Sequence, residues 1–105
     1  VEADPSTAGM IGCASAAETA WDVELNRAYK GLVGALKGKA LDSLKQSQRA
    51  WITQRDKDFA LQDALRAQLS GTMWGPVMAD QRVTFIKTRA QQLRAFAEIL
   101  KEGRP

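Results

Sequence analysis

Apolar residues recur along this chain at spacings of three and four. Trp21, Leu25, Ala28, Leu32 and Leu36 form the first such series, which puts them on one face of an amphipathic helix. Ser15-Ala16-Ala17-Glu18 precedes it. Serine three residues before glutamate is a capping box, in which each side chain satisfies an otherwise orphaned N–H at a helix start. The pattern predicts a first helix over residues 16–36. Residues 1–12, with Pro5, Gly9 and Gly12 and few large apolar groups, read as a loosely ordered arm. Residues 13–105 are then one domain.

Gly31 and Gly34 weaken the end of that helix, and Lys37-Gly38-Lys39 is the expected break. A second helix is predicted from Lys39 or Ala40 to residue 69, closed by Ser70-Gly71. Its stripe runs Leu41, Leu44, Gln48, Trp51, Arg55, Asp58 or Phe59, Gln62, Leu65 and Leu69. Gln48, Arg55 and Gln62 stand where a core wants leucine, and such local conflicts tend to mark strain, specificity or function. The competing reading is a drifting stripe that turns Ile52, Phe59 and Leu61 inward. The segment 71–76, Gly-Thr-Met-Trp-Gly-Pro, is a turn, and Pro76 suits the first position of a third helix. That helix is predicted over 77–101, with Met78, Phe85, Arg89, Leu93, Phe96 and Leu100 on one face. No segment alternates with a period of two long enough to be a strand. The predicted fold is all-α, an antiparallel bundle of three main helices.

Composition narrows the chemistry. The chain has 105 residues, 45% hydrophobic and 26% charged, which fits one globular domain. It has one cysteine and no histidine, so a Cys/His zinc site and any histidine-dependent triad are excluded within one chain. Cys13 reads as a buried small residue or a free thiol. The acid pairs Asp22/Glu24 and Asp56/Asp58 are two residues apart, and on a helix such side chains point to different faces. No catalytic residue, metal or cofactor is expected. The glycines of Gly31–Lys39 lack the phosphate-loop spacing. The basic residues do not interleave with aromatics as stacking platforms, so nucleic acid is not an expected partner. No apolar run approaches the length of a membrane span.

Charge is arranged in blocks. Residues 1–26 carry five acids and no bases, whereas 27–57 carry eight bases and two acids; the net charge is +3. Blocks of this kind suit antiparallel neighbours or leave a basic face for an anionic partner, and the plainer reading, which is favoured, is a solvated helical surface. Trp21 and Trp51 read as core residues. Trp74, in a glycine-flanked turn beside Met73, reads either as a cover for the bundle end or, if exposed, as an interface anchor.

The segment Gln-Arg-Ala-Trp-Ile-Thr-Gln-Arg-Asp, residues 48–56, resembles the signature of the LprI-like family, long catalogued as DUF1311. That family's pattern is met by Leu25, Asn26, Tyr29, Leu32 and Leu36. It continues through Leu44, Gln48, Trp51, Arg55 and Asp56, a turn at Gly71-Thr72-Met73, and Arg89 and Leu93. The resemblance covers residues 13–96. It implies an exported bacterial protein, periplasmic or secreted. It implies function through protein–protein binding rather than catalysis, with lysozyme-type glycosidases as the candidate target. Many members have a cysteine where Phe59 stands and another in the last helix. Cys13 matches the usual first cysteine, so Phe59 and core packing are expected to replace the disulfides. The start of the chain, with its small and acidic residues, resembles a mature chain after signal removal.

Two partner-binding surfaces follow as expectations. One is the 70–76 turn, with Met73 and Trp74. The other is the acidic end of the first helix, Glu18, Asp22 and Glu24, where a cationic enzyme could dock. Trp51 is expected to plug the core, and Arg55 to pair across helices near Tyr29 and Asn26. The alternative is a structural or adaptor bundle that self-associates or binds an anionic surface. A homo-oligomer is compatible with either.

Overall fold

The computed structural model describes residues 5–104, with side chains from residue 9 onward. Three long helices account for nearly all of it: α1 (Pro5–Ala35), α2 (Gly38–Ala67) and α3 (Trp74–Gly103). Ile11 reaches Gly75 at one end of the molecule, and Arg104 donates to the Ala35 carbonyl at the other. α1 and α3 therefore run in the same direction, and α2 runs against both. A 30-residue helix is about 45 Å long, so the molecule is a rod with extents of 60 × 23 × 15 Å.

α1 starts eleven residues before the predicted position. Pro5 opens it, where a fixed φ and a missing N–H cost nothing. The arm expected over 1–12 is helical from Pro5; residues 1–4 lie outside the described residues. The Ser15–Glu18 capping box lies inside the helix instead, and the Ser15 carbonyl accepts a bond from Thr19 Oγ1 at 3.1 Å. The reason is tertiary. Gly75 gives α1 a close approach: a Cβ there would stand 3.1 Å from Ile11 Cδ1. Packing against the start of α3 carries the helix through a local start signal.

The break between α1 and α2 falls where predicted. Gly38 has φ +58°, a left-handed conformation that glycine adopts without strain. α2 ends at Ala67, its last turn tightened by Gln68 N–H to Leu65 O and Leu69 N–H to Arg66 O. Arg66 donates to the carbonyls of Leu69 and Gly71 and holds the turn. α3 begins at Trp74 rather than residue 77, so Pro76 is its third residue, still within the turn whose N–H groups lack helical partners.

The core is thin. Leu25, Leu32, Leu44, Ile86, Ala90 and Leu93 are its buried apolar residues, with Trp21, Tyr29, Trp51 and Phe59 packed at its margin. α3 is central and uses two faces. Ile86, Ala90 and Leu93 meet α1, where small Ala28 and Ala90 permit close packing. Arg82, Phe85 and Arg89 meet α2, and their long side chains hold that helix further away. The single α3 face predicted from sequence thus missed Ile86 and Ala90. It also placed Phe96 inward, although Phe96 is 45% exposed.

Candidate functional site

The α2–α3 seam is a ladder of arginine and aromatic rungs. Arg89 donates from Nε to Gln48 Oε1 at 3.1 Å, from Nη1 to Gln92 Oε1 at 2.6 Å and from Nη2 to Ser47 Oγ at 3.1 Å. Gln48 and Arg89 are both buried. One helical turn earlier, Phe85 stacks on Trp51 at 5.4 Å and meets Phe59 edge-on at 6.0 Å. A further turn back, Arg82 lies 4.6 Å over the Phe59 ring and bonds Gln62 Oε1, the Phe59 carbonyl and the Asp63 carboxylate. The polar stripe of α2 is therefore a real seam. Gln48 and Gln62 are the acceptors for two arginines seven residues apart, whereas Ile52 and Leu61 are exposed. Sequence reasoning missed Arg82, Ser47 and Gln92. The seven-residue spacing of Arg82 and Arg89 was the available signal.

Among the described residues Arg89 is a cation paired only with neutral oxygens. Burial pushes its guanidinium below the usual arginine value. Arginine stays protonated nonetheless, because its unperturbed value is so high.

Arg55 does not take the cross-helix role expected of it. It bonds Asp56, its neighbour on α2, at 3.0 and 3.1 Å and lies 5.6 Å from the Trp51 ring. It faces α1 across a concavity of about 370 Å³. Glu18, Thr19 and Asp22 line the α1 side, and Asp56 and Phe59 line the α2 side. Glu18 and Asp22 thus belong to a mixed-charge groove in mid-helix rather than to a helix end. Glu24 points elsewhere, into a 2.6 Å surface pair with Arg27. Asn26 donates to Asp22 at 3.4 Å, and Leu25 is buried in the core. Tyr29 borders a separate groove beside Gln48 and Ile52.

The α2–α3 connection presents the other surface. Met73 is 61% exposed. Trp74 is half-buried as the first residue of α3, not a free turn residue. Met10, Leu65, Leu69 and Val77 are exposed at the same end of the rod. Together they form an apolar tip. Cys13 is exposed and free, not buried, and sits in a groove with Met10, Pro76 and Val83. Phe59 packs edge-on against Phe85. Among the described residues no cluster of acids or cysteine has metal-site geometry, and no helix is long and apolar enough to cross a membrane.

The sequence model of the family described as Lysozyme inhibitor LprI matches residues 2–93. No curated protein and no solved structure matches the chain. The family match takes in every element from the buried Leu25 to the Gln48–Arg89 seam and the α2–α3 turn, and this protein belongs to the lysozyme inhibitor LprI family.

Proposed function

We propose that this is an exported, periplasmic or secreted bacterial protein that acts by binding a protein, without catalysis, and that its target is a lysozyme-type glycosidase. Family membership supports the target class. The apolar tip supports the mode of action. Met73, Met10, Leu65, Leu69 and Val77 expose large apolar side chains at one end of a rod only 23 × 15 Å in cross-section. Exposed apolar side chains gathered at one end of a molecule are a common mark of a protein interface. A narrow end is also the shape that enters a cleft. The acidic side chains of Glu18 and Asp22 supply the charge a cationic enzyme would meet along the side of the rod.

The anionic-surface alternative has less support. Arg82 and Arg89 turn inward to α2, Lys87 lies over Trp21 of α1, and Arg104 caps α1. These four cations, three on α3 and one at its C-cap, are committed in different directions rather than along one basic face. Self-association keeps one observation in its favour: Leu61 and Leu65 on α2, and Leu69 just past its end, are exposed at a spacing of four. Light scattering at rising protein concentration separates the two readings, because a self-associating rod gains mass without any added target.

The decisive assay is inhibition and pull-down of several lysozyme classes by the purified chain, at low and moderate salt. Saturable inhibition of at least one class is the expected result. Absence of binding to every class would remove the inhibitor reading.

A further inference from the structure

A second concavity lies toward the opposite end of the rod, between α2 and α3 where they meet the C-terminal part of α1. It encloses about 380 Å³, within the range of about 300–1,000 Å³ that small-molecule sites occupy. Its walls are apolar: Leu32, Leu36, Leu44, Phe96 and Leu100. Ser43, Ser47 and Arg89 are the polar groups among them, and Arg89 already bonds Ser47 at 3.1 Å. Among the described residues no carboxylate lines this space.

The charge on Arg89 makes the space specific. A guanidinium has five N–H donors. Three are used, by Gln48, Gln92 and Ser47, all neutral. One N–H on each terminal nitrogen is left without a partner among the described residues, and no acid forms an ion pair with Arg89. A guanidinium with N–H groups to spare forms charge-assisted hydrogen bonds with a carboxylate. Arg89 also borders a wider groove beside Trp51 and Phe85, but Asp58 lines that one and would repel an anion.

We propose that the Arg89 groove binds a medium-chain carboxylate, with the head group on Arg89 and Ser47 and the alkyl chain along Leu36, Phe96 and Leu100. This site is separate from the apolar tip, so its test and that of the inhibitor reading fail independently.

The test is a titration of the full chain with octanoate and, in parallel, with 1-octanol, followed by amide chemical shifts. Octanoate is expected to bind at least about tenfold more tightly than the alcohol, since only it can form the charge-assisted pair. Shifts should map to the groove. Arg89→Gln is expected to abolish the preference. Ile99→Glu provides a variant whose folding is not at stake, because Ile99 lines the rim and is 65% exposed. It places a negative charge at the mouth and is expected to weaken octanoate at least about fivefold more than it weakens 1-octanol. Equal binding of acid and alcohol, shifts confined to other surfaces, or octanoate binding unaffected by Ile99→Glu would each overturn the proposal.

Discussion

Arg89 on α3 donates to Gln48 on α2 at 3.1 Å, and each is less than 8% exposed. A buried cation held by a neutral amide is costly to build and more costly to break. Removing Gln48 leaves the charge desolvated with one acceptor fewer. Gln48→Leu is expected to cost about 2 kcal/mol in chemical denaturation. Adding Arg89→Met should recover part of that loss, because the unpaired charge goes with it. Strictly additive losses would mean that the two side chains are not coupled.

The same burial sets a pH prediction. Desolvation pushes the Arg89 guanidinium down, so the unfolded chain binds this proton more tightly than the folded one. Stability would then rise with pH only where the folded form loses the proton, and arginine does not reach that point near neutrality. Arg89→Lys changes this. The ammonium cannot reproduce the three-way fork, and its lower intrinsic pKa falls further on burial. The variant is expected to lose roughly 2 kcal/mol at pH 7 relative to the parent. The deficit should shrink as the pH rises from about 8 to 10, when the folded form sheds the proton first. Denaturation midpoints of both proteins across that range test the sign.

Phe85 and Arg55 separate the seam from the surface. Phe85 stacks on Trp51 and abuts Phe59, so Phe85→Ala is expected to cost about 3 kcal/mol and to red-shift tryptophan emission. Arg55 pairs with an exposed neighbour on its own helix. Arg55→Ala should therefore cost less than about 1 kcal/mol. Urea melts of the two variants, run side by side, would contradict the assignment of the seam if their order were reversed.

Cys13 is exposed and alone. A maleimide is expected to label it in the folded protein at close to the rate measured in denaturant. A rate at least about tenfold slower in the native state would show the thiol to be protected, contrary to its placement.

Much of this architecture was legible because periodicity and turn chemistry agree. Leu25, Leu32 and Leu44 read as core and are core. Gly38 and the 68–73 connection separate the helices close to where composition places them. The errors have physical causes. The helix before Ser15 is sustained by contact with α3, which no local start signal encodes. The Arg55 expectation failed because periodicity puts Gln48, Arg55 and Gln62 on one stripe without saying which arginine crosses to meet it. Arg82 and Arg89 do so, from α3. Trp74 looked like a turn residue because Gly71 and Gly75 flank it, yet the helix begins there and half-buries it. Met73, without such support, stays exposed.

The most direct test of the proposed function is a lysozyme inhibition titration with the parent chain and Met73→Glu at the apolar tip. Met73 is 61% exposed, so the substitution should leave the melting temperature unchanged. The expected result is inhibition of at least one lysozyme class by the parent and at least about tenfold weaker inhibition by the variant. Inhibition that is equal in the two proteins would remove the tip as the binding surface, and no inhibition by the parent would contradict the proposed function itself.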